Sequence, residues 1–241
     1  MSLRPMLWPT VFAVPALVIL ILLGNWQMDR LAWKEDLLTQ IEQGMTADPM
    51  PLPASDTWAS IDPAIQRYRS ASATGVFDHA NEAHAYISSL SGEPGYHVIT
   101  PLELSQGGWL LVDRGFVPIS KKEAGTRSVG QVDGEVTVQG VLVVPDDANA
   151  FTPEPDLDKN VWYHRPIDRL ADKAGISPVF PMLMDAGPAP NPGGLPVGGQ
   201  TRLELKNPHL GYALTWYGLA VTLIAVWLAF FFARRRAGKG A

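Results

Sequence analysis

Four potential metal ligands fall within seven residues of this chain: Asp78, His79, Glu82 and His84. Carboxylates and imidazoles together suit zinc and other first-row cations. Their spacing matches no established ligand motif. The plainer reading is a polar turn between two strands, with Asp78 bonded to local backbone, and it carries more weight. His84→Ala is accordingly expected to be silent. Met182 and Met184 share one face of a strand and could hold Cu(I), but paired methionines in such a run are more often core. The glycine pairs 193–194 and 198–199 have the composition of a phosphate loop, yet prolines interrupt them and a strand follows instead of a helix. There is no G-x-S-x-G, no H-E-x-x-H and no cysteine. Hydrolase signatures are thus missing, thiol redox chemistry and covalent haem attachment through C-x-x-C-H have no residues to use, and a protein without turnover is expected.

The fifth histidine has a different setting. Asn207-Pro208-His209 reads as N-cap, N1 and N2 of a helix. His209 then stands in the first turn, with Tyr212, Ala213, Trp216, Ala220 and Trp227 on its face at helical spacing. Gly211, Thr215, Gly218 and Thr222 form a stripe of small residues on the opposite face, which predicts close packing there against another helix, at Ala13, Ala16 and Gly24. A histidine above an aromatic surface suits a flat, apolar, iron-bearing ligand, with Arg30 and Lys34 placed to meet its carboxylates. The rival reading is an interfacial histidine bonded to water, with Tyr212 and Trp216 as aromatic-belt residues.

These residues must be positioned by two apolar runs. Residues 5–28 and 210–233 contain no charge, and about 20 helical residues cross the ~30 Å hydrocarbon core. Membrane character is confined to these runs, because the whole chain has a mean hydropathy of only +0.04. A cleaved signal peptide would have a shorter apolar run and a small-residue cleavage site, so the first run is read as a lasting anchor. Arg234, Arg235, Arg236 and Lys239 follow the second run, which predicts a cytoplasmic C-terminus and, with two spans, a cytoplasmic N-terminus. The expected organisation is a first span at 6–28, an extracytoplasmic domain at 29–206, a second span at 209–233 and a basic tail at 234–241. Residues 29–206 hold all 24 acids and 14 of the 19 Lys and Arg, a net charge of −10. Nucleic acid is excluded as a partner of so acidic a domain, and lipid is implied by the spans.

Within the domain, apolar residues alternate as strands require. In EVTVQGVLVV (135–144), Val136, Val138, Leu142 and Val144 share one face, and TRLELK (201–206) alternates likewise. Residues 29–43 continue the first helix, 45–65 read as loop, and Ile167–Ala174 reads as a short helix stopped by Gly175. The fold class is membrane α+β: a two-helix transmembrane hairpin carrying a mainly β extracytoplasmic domain of six to eight strands with one or two short helices.

Five strings in order, LGNWQMDRLAWKEDLLTQIE (23–42), GVFDHANE (75–82), GYHVITPLEL (95–104), WLLVDRGFVP (109–118) and NPHLGYALTWYGLA (207–220), resemble the Surfeit locus protein 1 family over nearly the whole chain. The resemblance implies an assembly factor for haem-copper terminal oxidase that binds haem a transiently. It would aid insertion or stabilisation of haem a in oxidase subunit I, with haem a synthase as a second partner. It also implies His209 as the ligand of haem iron, with Tyr212, Trp216, Arg30 and Lys34 around it. No mitochondrial presequence precedes the first span, so a bacterial inner-membrane protein with a periplasmic domain is expected. The alternative is a scaffold that grips an oxidase subunit and never touches haem.

Overall fold

The computed structural model describes residues 4–145, 148–201 and 207–237. Of the strand expected at 201–206, only Thr201 lies among them. The chain divides into two compact units, one formed by Met1–Gln40 with Glu204–Ala241 and the other by Ile41–Leu203. Two long apolar helices flank a mainly β domain of eight strands, as the sequence predicts.

Helix α1 (Arg4–Thr46) has 43 residues, about 65 Å at 1.5 Å per residue, so it outruns the hydrocarbon core. Pro9 and Pro15 lie inside it; each removes one backbone donor, which a membrane helix tolerates. Helix α4 (His209–Ala237) has 29 residues and ends on Arg234, Arg235 and Arg236. Almost none of either apolar window is buried within the chain. Neither helix is therefore the core of a soluble fold, and both are long and apolar enough to cross a membrane. The sequence expects Asn207 to cap α4 through its side chain. Instead its Oδ1 is buried with no partner among the described residues, and α4 opens on the backbone bond from Tyr212 N–H to Pro208 C=O.

In the other unit, five strands close into a barrel: β2 (Ser70–Phe77), β4 (Gly95–Leu104), β5 (Trp109–Pro118), β6 (Glu135–Val143) and β8 (Val179–Ala186). The ring runs β2-β6-β8-β5-β4, and a second pairing of β2 with β4 joins its ends. The β5–β8 pair is parallel and the other ring pairs are antiparallel. Short strands extend the sheet outside the ring: β1 (Met50–Pro51) on β2, then β3 (Ala83–Tyr86) and β7 (Val161–Trp162) beyond β4. Alternation explains the core. Leu110 and Val112 of β5, with Phe180, Met182 and Met184 of β8, fill the barrel interior. Leu111 and Leu183, one residue out of phase, pack outside it with Ile99, Trp162 and Leu170. A single helical turn, α2 (Pro63–Gln66), precedes β2, and Leu170 belongs to helix α3 (Ile167–Ala174), which Gly175 ends at φ +67°. Met182 and Met184 are fully buried core residues.

One irregularity matters for the charged residues. Between His97 and Ile99 the β4–β5 register slips, so β5 carries an extra residue near Arg114. Gly115 takes φ +112°, and a Cβ there would collide with the Val197 carbonyl. The bulge gives Asp113 and Arg114, neighbours in sequence, separate buried surroundings.

Candidate functional site

His209 opens α4, and its Nδ1 lies 2.7 Å from the Gln27 side-chain oxygen on α1. Gln27 is 8% exposed. A carbonyl oxygen only accepts, so Nδ1 donates, and the neutral ring keeps its lone pair on Nε2. Further along the antiparallel pair, Tyr217 donates to Asn25 Oδ1 at 2.7 Å. The Tyr217 ring lies against Gly24, where a Cβ would collide with it. Trp227 Nε1 donates to Thr10 Oγ1 at 3.1 Å. Ala213 and Ala220 are buried between these bonds.

This overturns the expected packing face of α4. The face of His209, Ala213, Ala220 and Trp227 meets α1, while Gly211 and Gly218 have open space where a Cβ would stand. Thr215 and Thr222 return their hydroxyls to the carbonyls of Gly211 and Gly218 on their own helix. The physical reason is polar satisfaction. Histidine, tyrosine and indole each need a partner in hydrocarbon, and glutamine, asparagine and threonine of α1 supply one. Gly24 does belong to the α1 contact, as the sequence predicts.

Of the residues singled out for a planar ligand, Tyr212 and Trp216 stand three and seven residues after His209, Trp216 at helical spacing from the buried Ala213 and Ala220. Tyr212 is exposed and Trp216 half-buried. Arg30 and Lys34 stand three and seven residues after Gln27, so they share its stripe of α1. The Arg30 guanidinium lies 4.6 Å over the Trp33 ring. Gln27 is the residue the sequence reading missed. Its signal was an amide inside an uncharged helical run, which hydrocarbon tolerates only when bonded.

The 78–84 cluster holds no metal-like group among the described residues. Asp78 makes the expected turn, accepting from Ala80 N–H and the Asn81 side chain. Glu82 has another role: it takes both terminal nitrogens of Arg127, at 2.6 and 3.3 Å. Arg114 lies 3.6 Å away and His79 3.4 Å. His84 is buried beside Arg127 and Asn160. This buried setting, which the sequence does not show, leads us to expect that His84→Ala lowers the stability of the domain. Burial alone would raise the Glu82 pKa, but His79 and Arg127 overcome it and hold the carboxyl at about 2. Burial and the nearby Lys122 push His84 down to about 4, and burial lowers Arg114 to about 10.

A second buried cluster uses the neighbouring Asp113. Its Oδ2 accepts from Arg165 at 2.7 Å and pairs with His97 at 2.9 Å, while Oδ1 accepts from Gly115 N–H. The same Arg165 nitrogen reaches Asp185 at 2.6 Å. The two carboxyls shift in opposite directions. Burial is overcome at Asp113 by His97 and Arg165, which keep it ionised, whereas at Asp185 burial and the Asp113 charge win and raise it. His97, Arg165 and Asp185 line a cavity of about 190 Å³.

The Glu82 cluster makes the domain acid-sensitive. A depressed carboxyl contributes stability above its unfolded pKa of 4.5 and loses it as pH falls toward 2. A buried neutral histidine is penalised from its unfolded pKa of 6.5 down to about 4. Both effects have the same sign, each on the order of 3 kcal/mol. Urea unfolding of the full chain in detergent, followed by tryptophan fluorescence, should show stability falling steadily from pH 6.5 to 3. A flat profile over that range would contradict the assignment.

Comparison with known proteins covers most of the chain. Residues 14–221 match the model of the SURF1 family. The chain is similar to Surfeit locus protein 1 of Rattus norvegicus, 36% identical over 88% of this chain and 72% of the relative. Its human counterpart is 34% identical over 85% and 71%, and a SURF1-like protein of Drosophila melanogaster is 33% identical over 85% and 71%.

Proposed function

The chain belongs to the SURF1 family, known as cytochrome oxidase assembly factors, and from that premise we propose that it binds haem a at His209 and aids its insertion into, or stabilisation in, subunit I of a haem-copper oxidase. The family's role is not that of an enzyme, and the haem is cargo. The observation that supports the reading is the His209–Gln27 bond of 2.7 Å. It holds the ring on the α1 side through Nδ1 and leaves Nε2 for iron. Tyr212 and Trp216 follow on the same helix as apolar flanks for the macrocycle, and Arg30 and Lys34 would meet the propionates. His209 would hold the iron through a single imidazole nitrogen, which suits a carrier that must release its cargo.

The two spans support an integral membrane protein. The cations after the second span support a periplasmic domain with both termini in the cytoplasm. Lipid surrounds the helix pair, and haem a synthase is the partner from which the cargo would be received. A scaffold role without haem is the second reading, and the outward Gly211–Thr215–Gly218–Thr222 stripe favours it, since small residues admit a partner helix closely.

Purification of the full chain from a host that makes haem a separates the two. The haem reading expects a Soret band with stoichiometric haem a, and lowered oxidase activity with normal subunit I synthesis in a deletion strain. A colourless protein from such a host, with the deletion still lowering oxidase activity, would leave the scaffold.

A further inference from the structure

We propose that Gln27 is the positioning residue of this site: its side-chain oxygen selects the Nδ1–H tautomer of His209, so that Nε2 is the nitrogen that coordinates. The ligand's identity rests on the haem reading above; the tautomer stands on the geometry of the helix pair alone.

The argument begins with cost. Gln27 is 8% exposed in a run without a single charge, and an unbonded amide there would be strongly unfavourable. Its oxygen finds the imidazole at 2.7 Å, a short bond for a neutral pair. A neutral imidazole has one N–H to give. Once Nδ1 gives it to Gln27, Nε2 cannot be protonated without creating a charged ring, and its lone pair stays available. Metal-binding histidines are generally fixed in this way by an acceptor on the other nitrogen.

The alternative is that Gln27 merely fastens two helices. Tyr217 with Asn25 and Trp227 with Thr10 already do so, and neither pair must distinguish two nitrogens of one ring. The two roles therefore differ in what they predict. Loss of a fastener loosens the pair, whereas loss of a positioning residue changes the protonated nitrogen.

The test uses the full chain in nanodiscs with ¹⁵N-labelled histidine, the His209 signals being assigned by their absence in His209→Gln. The wild type should show a protonated Nδ1 and an unprotonated Nε2. Gln27→Leu should move the proton to Nε2 or mix the tautomers, and should weaken titrated ferric haem a about tenfold or more, read by the Soret band. Gln27→Glu, which keeps the acceptor, should restore the tautomer and the binding while lowering the reduction potential of the bound haem. Tyr217→Phe removes a bond between the helices without touching the imidazole and should leave the tautomer unchanged. An unchanged tautomer in Gln27→Leu overturns the proposal, as does an equal loss of the Nδ1–H form in Tyr217→Phe. A Gln27-dependent tautomer in a wild type that binds no haem a would uphold the positioning role and overturn the haem reading instead.

Discussion

His209→Ala should strip haem a from the purified protein while leaving the chain inserted in the membrane. In the proposed complex the iron bond would be the one strong directional interaction; what would remain without it is apolar contact with Tyr212 and Trp216, at about 25 cal/mol per Å² buried. Loss of the bond should cost two orders of magnitude or more in haem retention, because a second-shell partner alone is typically worth 10–100-fold. Insertion should survive, since the uncharged run at 210–233 is untouched. The variant also leaves Gln27 without its partner, a penalty of about 1–3 kcal/mol for a buried amide. Tyr217→Phe is therefore the matched control: it removes a comparable bond between the same helices and should keep the Soret band. Arg30→Ala should weaken retention far less, by no more than the roughly 0–1 kcal/mol of an exposed ion pair. Absorbance of equal amounts of the three variants decides the matter. A wild-type Soret band in His209→Ala would remove the site from α4.

Much of the scaffold could be read from the order of residue types. Alternation puts Val136, Val138, Leu142 and Val144 on one face, and in the fold Leu142 is buried in the barrel core with the three half-buried valines packed against it. The short helix over Ile167–Ala174 and its glycine stop were legible because a helix end has local chemistry. Barrel closure was not. It depends on Gly75, Val76 and Phe77 of β2 meeting Leu104, Glu103 and Leu102 of β4, a pairing that no period in either segment encodes. The face of α4 was misjudged for a different reason. A stripe of glycine and threonine suggests close approach, but in hydrocarbon the unsatisfied imidazole, phenol and indole outweigh it, and their partners on α1 can be found only by pairing the helices.

The charged clusters were hidden by distance along the chain. Asp113 and Arg114 sit in an otherwise apolar strand, as does Asp185 in VFPMLMDA, and a charge inside such a run was the available signal. Nothing local showed that Asp113 would meet Arg165, 52 residues on, or that Glu82 would meet Arg127, 45 residues on. A turn that reads as merely polar therefore holds one carboxylate among two arginines. The string DRG at 113–115 feeds both clusters through a single bulge.

The largest stability effect is expected at the centre of the second cluster. One nitrogen of Arg165 bridges Asp113 and Asp185, whose side chains are 2% and 10% exposed. Arg165→Met keeps much of the volume and deletes the charge, so two buried carboxyls are left beside each other, with His97 still paired to Asp113. Breaking a buried ion pair from one side typically costs about 3–5 kcal/mol, a third or more of the stability of an ordinary domain. The penalty should depend on pH with a definite sign. Without Arg165 the Asp185 carboxyl, already raised by burial and by Asp113, rises further above its unfolded value, so the folded variant binds a proton that the unfolded chain does not. The deficit relative to wild type should thus be greatest near neutrality and shrink as pH falls, even while both proteins lose stability through Glu82 and His84. Asp185→Asn added to Arg165→Met should recover a large part of the loss at pH 7, because it removes the second charge that the arginine had compensated. Urea unfolding of the wild type and both variants at pH 7 and 5 measures all three terms. A deficit that stays constant between those pH values, with no rescue by Asp185→Asn, would mean that Arg165 contributes packing and not charge compensation.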